Sequence, residues 1–299
     1  MKTTYHSFAN GLWFDSEAEE AARFYTSIFP NSKMGFVSHY GKEGFEIHGQ
    51  PEGKVMSVNF NLAGTEFQGI NGGPLFKKNP SISYFVVCET EKETDTLWSA
   101  LLNQGSVLMP LEKQDWSQKY GWVQDKYGLS WQISLGKISD VGQKITPSFL
   151  FVGDCFGRAE EAIKFYTSIF PKSSIQGVMK GPDGKVMHGQ FQLNDKTFMI
   201  MESGDKHDFD FNEGISIIVN CTTQKEIDHY WDKLTSGGGK EIECGWLRDK
   251  FGVAWQVTPI QLEEMLMSPN KNKTERVTKA FLRMKKFDLA TLEEEFARG

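Results

Sequence analysis

Residues 122–132 read W-V-Q-D-K-Y-G-L-S-W-Q, and residues 246–256 read W-L-R-D-K-F-G-V-A-W-Q. This repetition limits the folds open to the chain more than any other feature. Both copies hold Asp-Lys-aromatic-Gly between apolar runs. Asp125 and Asp249 are placed to bond their own backbone two residues on, and Gly128 and Gly252 supply a left-handed position. Each copy therefore predicts a β-hairpin that closes a unit, and the chain has two such units.

Other segments repeat in the same order. Glu-Glu-Ala-x-x-Phe-Tyr-Thr-Ser-Ile-Phe-Pro occupies 19–30 and 160–171, and Gly-Lys-Val-Met occupies 53–56 and 184–187. Within each half an apolar strand leads into a helix. Ala18, Ala21, Ala22, Tyr25, Ile28 and Phe29 share one helical face, as do Ala159, Ala162, Ile163, Tyr166, Ile169 and Phe170. Ser16 and Glu19 have capping-box spacing, and Pro30 and Pro171 end the two helices. Three strands follow, near 33–39, 54–62 and 65–70 and near 175–180, 185–193 and 196–202. Another strand (82–88; 215–221) leads to a second helix, with Thr90/Glu93 and Thr223/Glu226 at its start. Each half thus reads βαβββ twice. The divisions are 1–137, a linker at 138–145, 146–259, and a helical tail at 260–299.

A net charge of −6 and a pI near 5.6 disfavour nucleic acid and anionic membranes as partners. No apolar run reaches the ~18 residues that span a bilayer. Cys88, Cys155, Cys221 and Cys244 form no C-x-x-C pair, and the N-terminus lacks the apolar core of a signal peptide. The expectation is a cytoplasmic protein with reduced thiols.

The helix motif resembles the PhnB-like branch of the vicinal-oxygen-chelate superfamily, which includes glyoxalase I, bleomycin-binding proteins and extradiol dioxygenases. So do Asn71-Gly-Gly-Pro74, Cys-x-Thr-x-x-Glu at 88–93 and the stretch Cys244–Gln256. The resemblance covers both halves and the tail segment 275–290. It implies an α+β fold of tandem glyoxalase-like domains, each of two βαβββ modules in a curled mixed sheet, followed by a helical tail. The branch often carries the label 3-demethylubiquinone-9 3-methyltransferase. No strand followed by G-x-G-x-x-G opening a helix supports that label, and Gly237–Gly239 follows a helix.

Such a fold presents one face of its sheet to helices and the other to a ligand, so period-two alternation sorts the residues. Ser57, Asn59 and Asn61 alternate with Met56, Val58, Phe60 and Leu62. His188, Gln190 and Gln192 alternate with Met187, Gly189, Phe191 and Leu193. Gln132 and Gln256 alternate with Trp131 and Trp255. The polar series is expected to line the pocket, with the apolar series under the helices. A slip of one residue would reverse every assignment. Trp122 and Trp246 are candidates for stacking on a planar ligand. Cys244, read as lying on a strand, is a candidate thiolate if Arg248 or Lys250 stands beside it, and otherwise an inert thiol. His188 is the one pocket-side imidazole.

The resemblance also implies metal ligands on the first, fifth and eighth strands of a domain. These positions fall near Ala9 and Pro147, near Tyr84 and Ile217, and on Gln132 and Gln256. The nearest imidazole to the first strand is His6. No set of His, Asp or Glu assembles there, so no cofactor is expected. Three functions stay open: a metal-free small-molecule binder, a metal-dependent lyase, isomerase or oxygenase, and an assembly scaffold. The two halves are expected to pair within one chain, and a homodimer through the tail stays open.

Overall fold

The computed structural model describes residues 7–298, so His6 lies outside it. The first half runs β1 (Phe8–Phe14), α1 (Ala18–Ile28), β2 (Lys33–His39), α2 (Phe45–His48), β3 (Val55–Leu62) and β4 (Thr65–Asn71). It continues with β5 (Ile82–Cys88), α3 (Glu91–Leu102), β6 (Ser106–Gln114), β7 (Ser117–Gln124) and β8 (Ser130–Leu135). A short helix, α4 (Ile138–Val141), stands in the linker. The second half repeats the order with β9 (Ile145–Phe151), α5 (Ala159–Ile169), β10 (Ser174–Lys180), β11 (Val186–Leu193) and β12 (Lys196–Glu202). Then come β13 (Ile215–Cys221), α6 (Gln224–Thr235), β14 (Lys240–Glu241), β15 (Trp246–Arg248) and β16 (Ala254–Pro259). The tail forms α7 (Ile260–Leu266), α8 (Lys271–Phe281) and α9 (Leu289–Ala297). No helix among the described residues is long and apolar enough to cross a membrane.

The four βαβββ modules combine across the halves. The first sheet has the order β14-β15-β16-β13-β1-β4-β3-β2, and the second β10-β11-β12-β9-β5-β8-β7-β6. The joins are antiparallel: β1 on β13, with Gly11 opposite Ser216, and β5 on β9, with Ser83 opposite Ser148. Each mixed eight-stranded sheet therefore takes one module from each half.

The aromatic packing under each first helix, in contrast, stays largely within its half, with Phe8 of β1 crossing onto Phe170 and Phe198 at 5.1 and 5.4 Å. Phe60, Phe67, Tyr84 and Trp131 make a chain of ring contacts at 5.0–5.5 Å from β3 to β8, and Tyr25 of α1 stacks on Phe60 at 6.1 Å. Phe149, Phe198, Phe191, Tyr166 and Trp255 repeat the arrangement. The apolar alternating series thus packs under the helices as expected. Met187 is an exception: it stands near the β10–β11 bulge and is 54% exposed.

Each core closes on a buried carboxylate. Asp125 Oδ1 accepts the backbone N–H groups of Tyr127 and Leu129, which makes the hairpin turn. Its Oδ2 accepts the Tyr25 hydroxyl and Trp131 Nε1–H, both at 2.8 Å. Asp249 repeats the set with Phe251, Val253, Tyr166 and Trp255. Gly128 and Gly252 take φ of 78° and 88° in the two turns.

The helix starts divide into two kinds. Thr90 and Thr223 cap α3 and α6 through the N–H groups of Glu93 and Glu226, as their spacing predicts. The Ser16/Glu19 box is not formed. The first N–H of α1, on Ala18, instead donates to Asn71 Oδ1 at the end of β4. Its counterpart on Ala159 donates to Glu202 at the end of β12. A side chain distant in sequence reaches the helix end first and replaces the local cap.

The tail docks on the first sheet. Glu263 of α7 accepts Asn59 Nδ2–H of β3 at 2.7 Å, and Gln68 Nε2–H donates to Asn59 Oδ1. The N–H groups of Cys244 and Gly245 donate to the carbonyls of Met284 and Lys285, and Val277 and Leu292 are fully buried.

Two predictions follow from this packing. Burial raises the Asp249 carboxyl to about 6, against the hydrogen bonds of Tyr166 and Trp255. A raised carboxyl contributes stability below its unfolded value near 4, and that stability is lost as pH rises through 6. The stability difference between the wild type and Asp249→Asn should shrink, on the order of 3 kcal/mol, from pH 4 to pH 7. Urea unfolding at a series of pH values checks this; a difference independent of pH contradicts it. Second, residues 1–142 alone leave the joining edges of β1 and β5 bare. Two copies restore both joins, so sedimentation should find a dimer, and a folded monomer contradicts the cross-half pairing.

Candidate functional site

Cross-strand partners point to the same side of a sheet, so the register fixes each inner face. Across the second sheet one inner row is Ser148, Ser83 and Ser130, on β9, β5 and β8. The next row is Thr146, Phe85, Gln132 and Trp122. Tyr120 stands beyond, opposite Ser134. His188, Gln190, Met199 and Leu150 continue this face toward the β10 edge.

A hydrogen-bonded chain runs through its middle. The Tyr120 hydroxyl donates to Gln132 Oε1 at 2.7 Å, and Gln132 Nε2–H donates to the Ser83 hydroxyl at 2.8 Å. On both sides of this chain lie buried polar atoms with no partner among the described residues: Ser148 Oγ and Thr146 Oγ1 on β9, Ser130 Oγ on β8 and Trp122 Nε1 on β7. The three hydroxyl residues are at most 1% exposed. Native structures pair nearly all such groups, because each orphan costs about 1–3 kcal/mol. Four on one face is a concentration that calls for a reason. Phe85 stacks on Tyr120 at 6.4 Å, and Trp116 meets Tyr120 edge-on at 5.8 Å, giving the face an aromatic wall. Toward the β10 edge an open groove of about 550 Å³ is lined by Gln176, Val178, Met179, His188 and Gln190.

The first sheet carries the duplicate of this face with a different content. Gln256 Nε2–H donates to the Ser216 hydroxyl at 2.9 Å, as Gln132 does to Ser83. In place of Ser148, Ser130 and Thr146 stand Gly11, Ala254 and Ala9. A Cβ on Gly11 would lie 2.3 Å from the Ser216 hydroxyl, so a larger residue there would have to turn that side chain aside. The remaining polar groups find partners: Ser57 with Ser38, Asn61 with Glu66, and Asn59 with Gln68 and Glu263. Trp246, the counterpart of Trp122, meets Trp13 at 6.1 Å, and Arg248 pairs with Glu213.

The sequence-predicted residues therefore separate. Trp122, Gln132, His188, Gln190 and Gln192 share the inner face of the second sheet. Ser57, Asn59, Asn61, Trp246 and Gln256 share that of the first, where the tail docks. Burial lowers the affinity of the His188 imidazole for a proton. Cys244 is not on a strand. It occupies a turn at φ 60°, and burial pushes its thiol up to about 11. Arg248 and Lys250 are engaged by Glu213 and Glu161 instead. Alternation puts Ser130 in the polar series with Gln132, but Thr146 and Ser148 were passed over because serine and threonine are unremarkable on strands; only the cross-half register places the three together.

The metal positions shift as well. Pro147, Tyr84 and Ile217 belong to the opposite face of their strands, and the nearest inner-face residues are Gly11, Ser216 and Gln256 in one sheet and Ser148, Ser83 and Gln132 in the other. The donors are hydroxyls and amides, without imidazole or carboxylate. That set does not fit a divalent ion of the kind these folds hold. Among the described residues no three His, Cys, Asp or Glu side chains converge.

Comparison with known proteins agrees with this architecture. A family model described as 3-demethylubiquinone-9 3-methyltransferase matches residues 6–134 and 143–258. The chain belongs to this family. A Bacillus cereus structure titled putative 3-demethylubiquinone-9 3-methyltransferase, PhnB protein, is 41% identical over 43% of this chain and 98% of its own, with a TM-score of 0.39. Glyoxalase I from Zea mays is 12% identical over 86% of this chain and 95% of its own, with a TM-score of 0.56, a likeness of fold alone. No curated protein matches the chain. It is thus a PhnB-like protein in tandem form, with a fold like that of glyoxalase I.

In this PhnB-like chain the orphan hydroxyls separate fold from function. Ser130→Ala and Ser148→Ala remove unpaired groups and should each raise stability by about 1 kcal/mol. Gln132→Ala strands the Tyr120 and Ser83 hydroxyls and should cost roughly 2 kcal/mol or more. Calorimetric melting of the three variants checks both signs.

Proposed function

We propose that this PhnB-like chain binds a small organic molecule on the inner face of its second sheet, without a metal ion. The observation that carries the reading is the set of four buried, unpaired polar atoms on that one face, beside an aromatic wall. A bound molecule would supply the partners that the protein withholds, and hydrogen-bonding groups set among aromatic walls suit a partly planar ligand. The family description names methyl transfer. Gly237–Gly239, the one run of three glycines, closes α6 and opens no helix, so it offers no cradle for a nucleoside cofactor. With a net charge of −6 the chain favours neither nucleic acid nor an anionic membrane surface as partner.

The competing reading is a metal-dependent lyase, isomerase or oxygenase. Elemental analysis of the purified protein separates the two. The binding reading expects well under one divalent ion per chain; a stoichiometric ion that Gln132→Ala or His188→Ala releases would overturn it. A thermal-shift screen of small organic molecules then tests binding itself, since a ligand at 100 times its Kd adds about 2.7 kcal/mol. Trp122→Phe and Ser148→Ala should weaken the hits, and Gln256→Ala should leave them unchanged.

A further inference from the structure

The inner face of the second sheet carries no carboxylate, ammonium or guanidinium along β11, β12, β9, β5, β8 and β7. Its residues are Ser, Thr, Gln, Val, Leu, Met, Phe, Tyr, Trp and His188. The duplicated face of the first sheet differs in this respect: it carries Glu66 and Arg248, and Glu263 reaches onto it from the tail. The second face carries a carboxylate only at its exposed rim, where Glu112 of the edge strand β6 stands opposite Tyr120, whereas the first carries charges on the strands that form its floor. We propose, resting on the binding reading above, that the ligand of the second sheet is an electrically neutral, planar aromatic molecule of two or three fused or linked rings, with hydrogen-bond acceptors at both ends.

The charge follows from desolvation. An ionised group brought onto the floor of this face, between β9 and β8, loses its water and meets no counter-charge on those strands, which costs far more than neutral hydrogen bonds return. His188 does not supply that counter-charge, because burial favours its neutral form.

The size follows from the sheet. Strands lie about 4.8 Å apart, so the orphan hydroxyls on β9 and the one on β8 are separated by roughly 10 Å. Trp122 stands one strand farther on. A molecule that satisfies both sides must bridge the Ser83–Gln132–Tyr120 chain, which is a span of two or three rings.

The acceptors follow from the donors. The indole Nε1–H of Trp122 only donates, and the hydroxyls of Ser130, Thr146 and Ser148 each have a proton to give. Phe85 and Tyr120 offer ring faces for stacking.

The test uses matched sets built on coumarin, flavone and acridone cores: the neutral parent, a carboxylate derivative and an aminomethyl derivative. Each is titrated into the full chain at pH 7.5 by tryptophan fluorescence and thermal shift, and a broad library of small molecules is screened in parallel. Neutral members should bind about tenfold or more tightly than their ionised partners. Trp122→Phe and Ser148→Ala, each first shown to melt cooperatively, should weaken the neutral members about tenfold. An ionised member that binds as tightly as its neutral parent, or library hits that are chiefly ionised, overturns the neutral-ligand inference and leaves the binding reading standing. Hits that neither variant weakens, or no hit in sets and library together, overturn both.

Discussion

Two buried carboxylates without a salt-bridge partner hold the molecule together. Asp125 and Asp249 each take four hydrogen bonds on two oxygens, from two turn amides, a helix tyrosine and a strand tryptophan. The turn alone would accept asparagine, which also bonds its own backbone. Asparagine has one acceptor oxygen, however, and its NH₂ group would face the indole N–H as a second donor. The carboxylate joins hairpin, helix and sheet at one point, and it fixes the register of β8 and β16. That register in turn decides which side chains lie on the inner face of each sheet.

Pairing the sheets across the halves has a chemical consequence. The floor of the second sheet takes Ser83, Phe85, Trp122, Ser130 and Gln132 from one half and Thr146 and Ser148 from the other. A symmetric dimer of single-domain chains would make both faces from identical residues. Fusion removes that constraint. Ser148 can differ from Gly11, Ser130 from Ala254 and Thr146 from Ala9, while Gln132 and Gln256 keep the same central bond to serine. The two faces have diverged at Ser148, Ser130 and Thr146, the positions proposed to meet a ligand, and have kept the central glutamine–serine bond.

The duplication, the four modules, the helix faces and the hairpin turns were legible in the sequence, because each depends on local spacing or turn chemistry. Phe60, Trp131, Phe191 and Trp255 alternate as core residues should, and they are core. Three things were not legible. The caps on Ala18 and Ala159 come from Asn71 and Glu202, which only folding brings near. The partner of β1 is β13, although β5 lies nearer in sequence. The turn at Cys244 breaks the strand that alternation extends through it. All three arise from contacts between distant residues, on which periodicity is silent.

The contrast between the faces also argues which of them works. A fold selected for stability alone pairs its buried hydroxyls or replaces them, and the first sheet has done so with Gly11, Ala254 and Ala9 while receiving α7 through Glu263. The second sheet could have taken the same alanines on the same backbone. It retains serine, threonine and indole donors without partners, and a protein tolerates such a loss of stability where activity draws on it. The tail covers the face that has no orphan groups of its own strands to satisfy. The second sheet's face is the one whose hydrogen-bonding capacity is still unspent.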